Sequence, residues 1–237
     1  MHTLKKTLWL TLIFAAAMGL LEAIVVVYLR DIYYSDGFKF PLMIIPDSTL
    51  RVEILREFCT LIMLLSISFI AGKNKLQVFS YFLFCFAVWD IIYYIGLKSI
   101  LGWPPSLLTW DILFLIPFPW VGPVLAPLIS SFSMIILSLV FLFIQNRDPD
   151  LKIRLTEWSL IFLGAILIFV SFIWDYSAII ISNNMVKNIL SLNAGSFINI
   201  TKDYIPRYFH WNIFIAGIFL VYLSIFLILK RSALTRS

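Results

Sequence analysis

The sequence predicts an all-α fold: a polytopic transmembrane helical bundle of about six spanning helices in three hairpins, with one short interfacial or re-entrant helix. Three observations predict it. Of the 237 residues, 62% are hydrophobic and only 13% are charged, about half the charged share usual in a soluble domain. The mean hydropathy is +0.98. Apolar runs of about 20 residues, the length that crosses some 30 Å of hydrocarbon as a helix, recur along the whole chain. Residues 1–237 therefore read as a single integral membrane domain, with the lipid bilayer as its first partner.

The first run, 8–29, follows Lys5 and Lys6. It exceeds the roughly 7 to 15 apolar residues of a secretory signal, so it reads as a retained span. Runs at 54–71, 76–97, 158–182 and 211–229 meet the same length criterion. The stretch between Ser106 and Gln145 does not form one helix, because Pro117, Pro119, Gly122, Pro123 and Pro127 interrupt it. It divides into a short helix over 106–117, at the surface or re-entrant, and a span over 124–145. Broken backbone at membrane depth belongs against protein or a wet cavity.

Six spans place both termini on one side. With that side cytoplasmic, ten of the 18 Lys and Arg fall inside and eight outside, in longer loops, which is the orientation the positive-inside rule favours. Lipid and topology account for the net charge of +5, so no nucleic-acid partner is expected. Cys59 and Cys85 sit at different depths of apolar runs and are not expected to pair.

The acids carry the functional signal. In GLLEAIVVVYLR (19–30), AVWDIIYYIGLK (87–98) and FIWDYSAIIISN (172–183), one acid, Glu22, Asp90 or Asp175, stands seven residues before the expected outer end, about 10 Å deep. Arg30 and Lys98 follow Glu22 and Asp90 by eight positions, where their heads can snorkel. The returning segments begin with a polar group, Glu57, Asp111 or Asn212, and Trp110-Asp111 matches Trp211-Asn212. The pattern suggests three hairpins set around an axis.

A carboxylate at the bilayer centre costs about 2.5 to 3.5 kcal/mol on insertion scales. Each single acid can serve only to fix helix register by pairing with a nearby base. Five at one depth point instead to a shared pocket in the outer half of the bilayer. Glu22, Glu57, Asp90 and Asp111 are the candidate catalytic carboxylates. Asp175, Arg30, Arg56, Tyr93, Tyr94, Lys98, Trp110 and Asn212 are the candidate binding groups. His210 at the mouth, with Glu22, Glu57, Asp90 and Asp111, makes a donor set suited to a divalent ion such as Mg, Mn or Fe(II). The sequence holds no HExxH, paired CxxC, GxSxG, Walker loop or strand-borne GxGxxG.

Three functions stay open at this point. One is a metal-dependent or acid/base membrane enzyme acting on an amphiphilic substrate. The second is a cation- or proton-coupled transporter or channel, with 117–127 as its moving part. The third is a non-catalytic accessory subunit.

The segments LEAIVVVYLR, REFCTLIML and WDIIYYIGLKSILGWPPSLLTWDILFLIPFPWVGPVLAP resemble an uncharacterised family of bacterial polytopic membrane proteins over about residues 19–128. The resemblance implies a bacterial inner-membrane setting and no particular activity.

The charge bias has a direct test. Fusions of a fluorescent protein to either terminus are expected to fluoresce in bacteria, and alkaline phosphatase at the same positions to stay inactive; the reverse pattern overturns the N-in, C-in orientation.

Overall fold

The computed structural model describes residues 2–34, 37–43, 45–116, 119–148, 152–182 and 204–234. Pro117, Lys187, Lys202, Arg236 and most of the loop expected after residue 183 lie outside them. Six long helices are present among the described residues: α1 (His2–Tyr33), α2 (Asp47–Ala71), α3 (Lys75–Leu101), α4 (Leu125–Arg147), α5 (Leu155–Ser182) and α6 (Trp211–Leu234). Each is long and apolar enough to cross a membrane. The protein is a multi-pass, helical membrane protein.

The helices overrun the apolar windows because a helix need not stop where hydrocarbon stops. α2 begins at Asp47, well before residue 54, and carries Arg51, Glu53 and Arg56 in its first turns. α3 opens on Asn74, whose side chain accepts the Gln77 N–H, and closes on Gly102 at φ 67°. That left-handed position suits glycine, and it ends the helix.

Residues 106–117 depart from expectation. In place of a short helix they contribute strand β1 (Trp110–Phe114), paired antiparallel with β2 (Trp120–Pro123). Asp111 faces Gly122, and the register shifts between Ile112 and Phe114. Pro119, Gly122 and Pro123 keep the returning segment from being helical, and a hairpin is the compact way to pair backbone groups away from water. The pairing continues past the strands: Val124 N–H donates to Thr109 O at 3.0 Å and Leu125 N–H to Leu107 O at 2.8 Å.

Two of the three expected hairpins pack as pairs, α3 with α4 and α5 with α6, while the first does not. α1 packs mainly along α3, α3 along α4, and α5 along α6, while α1 and α2 touch little. The series is set by where side chains are small. On α1, Gly19 lies against the Trp89 carbonyl, and a Cβ on Gly96 would stand 2.7 Å from Ala23 Cβ. Small residues let helix backbones approach closely, so α1 seats on α3 rather than on its sequence neighbour. α5 and α6 meet at Gly164 and Gly217, where a Cβ on either would stand 2.7 Å from the other's carbonyl oxygen.

Two further contacts hold the end that carries the N-terminus, called the near end below. Leu137, Phe141, Ile161, Val221, Ile225 and Ile228 form an apolar core there. Beside it the Arg231 Nε donates to Glu157 Oε1 at 3.0 Å and Nη2 to Glu157 Oε2 at 2.8 Å. Cys59 is exposed and Cys85 buried, both as free thiols.

Gly217→Val is expected to push α6 off α5. Overpacking of this kind costs about 1 to 3 kcal/mol, so the melting temperature in detergent should fall by several degrees, whereas Ser99→Ala on an exposed face should leave it unchanged.

Candidate functional site

At the far end of the bundle α1, α2, α3 and the hairpin line a half-open cavity of about 140 Å³. α1 contributes Glu22 and Arg30, α2 contributes Glu53, Arg56 and Glu57, α3 contributes Asp90, Tyr93 and Tyr94, and β1 contributes Asp111. Four acids read from the sequence as catalytic candidates therefore line one space, together with four of the eight binding candidates. Glu53, Trp89 and the nearby Ser131 complete it.

The charges pair across helices rather than along them. Arg56 reaches from α2 to α1, donating from Nη1 to Glu22 Oε1, and it also holds Glu53 through Nη2 and through Nε at 2.9 Å. Arg30, placed by the sequence at the surface, is buried. Its Nη2 donates to Asp111 Oδ1 at 3.3 Å, and its guanidinium stacks on Trp103 and Phe38, 3.8 and 4.6 Å from the ring centroids. Tyr94 donates its hydroxyl to Asp111 Oδ2 at 3.2 Å. On the hairpin, burial pushes the Asp111 carboxyl up to about 6 against the opposing pull of Arg30.

Two carboxyls have no cation within ion-pair distance among the described residues. Both oxygens of Glu57 accept the Leu115 N–H at 3.0 Å, which satisfies a backbone donor just beyond β1. Asp90 Oδ2 accepts the Ser131 hydroxyl of α4 at 2.8 Å. Two donors of the wall are also left over: Arg30 Nη1 and Trp89 Nε1 are buried without an acceptor among the described residues.

A second cavity, of about 350 Å³, adjoins the first between α3, α4, α5 and the hairpin. Its walls are apolar, with Phe79, Phe82, Phe86, Phe114, Phe162, Phe169 and Trp120 among them. Asp90 and Leu113 line both spaces.

The remaining candidates sit elsewhere. Asp175 accepts the Tyr204 hydroxyl at 2.6 Å and lies 3.6 Å from His210 Nε2, away from the cavity. Lys98 is spent on its own helix end, donating to Gly102 O at 3.0 Å and Pro104 O at 2.9 Å. Trp110 packs edge-on against Phe209, and Asn212 is exposed. The metal set read from the sequence does not assemble: His210 is apart, a guanidinium stands between Glu22 and Glu53, and no three His, Cys, Asp or Glu side chains among the described residues converge on an ion. These residues do not fit a divalent metal.

No family model, curated protein or solved structure matches this chain.

Arg56→Met leaves the buried Glu22 and the half-buried Glu53 unanswered. Removing one partner of a buried pair costs about 3 to 5 kcal/mol, so the melting temperature should drop sharply. Adding Glu22→Gln and Glu53→Gln to that variant is expected to restore most of it.

Proposed function

We propose that this chain binds one amphiphile from the extracytoplasmic leaflet of a bacterial inner membrane and acts on its polar head by acid/base chemistry. The head occupies the charged cavity and the hydrocarbon chain lies in the aromatic groove. The observation that carries this reading is that the two spaces adjoin and share Asp90 and Leu113. A polar cavity alone fits a solute or an ion; set against an apolar groove of more than twice its volume across the shared Asp90 and Leu113, it fits a molecule with two unlike ends.

The residues divide by how firmly they are held. Arg56 with Glu22 and Glu53, and Arg30 with Asp111 and Tyr94, are fixed frames that position the head. Asp90 and Glu57, with neutral partners only, are the groups free to give and take a proton. Beneath the cavity Ala15, Leu64, Phe84, Cys85 and Val88 pack into an apolar cluster. That packing supports a one-sided pocket over a through-path for ions.

Protein purified in mild detergent is expected to carry a defined amphiphile, identifiable by mass spectrometry. Incubated with total bacterial lipid extract, it should change a head group, and Asp90→Asn or Glu57→Gln should slow that change by about 10²- to 10⁴-fold while the protein still melts as the wild type does. Unaltered extract overturns the catalytic part of the reading.

A further inference from the structure

Resting on the amphiphile reading, we propose that the head group is a zwitterion, an anionic phosphodiester joined to an ammonium group, with its phosphate at Arg30 and Trp89 and its ammonium at Asp90 and Glu57. Two independent features of the cavity call for the two halves.

The first is unmet donors. Arg30 is 7% exposed and Trp89 5% exposed, both line the cavity, and neither Arg30 Nη1 nor Trp89 Nε1 has an acceptor among the described residues. A buried donor left unpaired costs about 1 to 3 kcal/mol, and more when it is charged. The rest of the Arg30 guanidinium is already committed to Asp111 and to the rings of Phe38 and Trp103, so its free nitrogen is held in place. An ionised oxygen on the ligand is the partner that suits a guanidinium N–H and an indole N–H together.

The second is the charge count. Five carboxyls (Glu22, Glu53, Glu57, Asp90 and Asp111) face two guanidiniums, Arg30 and Arg56. Three of the five are answered by those two cations. Glu57 and Asp90 are not, and an ammonium group is a cation that the two can share. Tyr33, Tyr34 and Tyr93 in the wall add ring faces that attract an ammonium. A purely anionic head meets the donors but is repelled by the uncommitted acids; a neutral head meets neither feature in full.

The test is binding of lipids with identical acyl chains, followed by native mass spectrometry on the full chain. Phosphatidylethanolamine carries both groups, phosphatidylglycerol lacks the ammonium, and diacylglycerol lacks both. Phosphatidylethanolamine is expected to bind at least tenfold more tightly than the other two. Trp89→Phe, which keeps the ring and removes the donor, should weaken both phospholipids by roughly five- to tenfold and leave diacylglycerol unchanged. Asp90→Asn should weaken phosphatidylethanolamine alone. Equal binding of all three lipids, or a Trp89→Phe variant that melts normally and binds each as before, means that water alone meets those donors and overturns the zwitterion. Ala165→Trp, which fills the apolar groove, separates the two readings. If it fails to displace any bound lipid, the amphiphile site itself falls.

Discussion

Charge taken below the surface of a bilayer has to be answered by the protein itself, and that constraint orders the far half of this bundle. Arg56 answers Glu22 on another helix, and Arg30 on α1 answers Asp111 on the hairpin. A buried ion pair adds little net stability, since desolvation offsets most of the attraction. The cohesion comes instead from the close seating of α1 on α3 through Gly19, Ala23 and Gly96. What the pairs supply is position. They tie α1, α2 and the hairpin at fixed separations around a space that none of these elements fills.

The hairpin follows from a parallel constraint on the backbone. Its returning segment, with Pro119, Gly122 and Pro123, cannot be helical, and unpaired peptide groups at this depth are costly. β1 and β2 satisfy each other, and the first free N–H beyond β1, that of Leu115, is taken by Glu57. A carboxylate that looks catalytic from the sequence thus also closes the backbone account of the loop above it. The same strand carries Asp111 into the cavity wall, and Gly122 opposite it leaves its own side-chain space to the Phe172 and Phe209 rings. Backbone pairing and side-chain charge therefore fix the hairpin together.

These two constraints also explain which features were readable in the sequence. Span number and rough limits follow from hydrophobic length alone. The meeting of Glu22, Glu57, Asp90 and Asp111 followed from depth, because acids at one level of a bundle avoid lipid by facing inward. Depth carries no information about rotation around the bundle. Asp175 stands at the expected level yet belongs to the α5–α6 pair, with Tyr204 and His210. Lys98 matches Arg30 in spacing but meets helix-end carbonyls, because α3 stops at Gly102 while α1 runs on to Tyr33. The Glu157–Arg231 pair is not legible from hydropathy because both residues lie just beyond the apolar windows. Only the antiparallel closure of α5 on α6 brings them together. The β-hairpin is not legible either, because breakers show where a helix ends and not what replaces it.

The bundle divides into two halves held by different means, and Asp90 lies where they join. α5 and α6 lock through Gly164 against Gly217 and through the near-end ion pair, and they ask nothing of the cavity. The α1–α3 half is organised around charge. Asp90 faces both, bound to α4 through the Ser131 hydroxyl and bordering the charged cavity on one side and the phenylalanine-lined groove on the other. Every other carboxyl of the cavity is held by a guanidinium or by the hairpin backbone, so its charge or its place is committed. Asp90 has a single neutral hydroxyl among its described partners, which leaves one oxygen uncommitted at the junction of polar and apolar space. A ligand with a charged head and a hydrocarbon chain must lay the bond between them across that junction, and Asp90 is the acid stationed there.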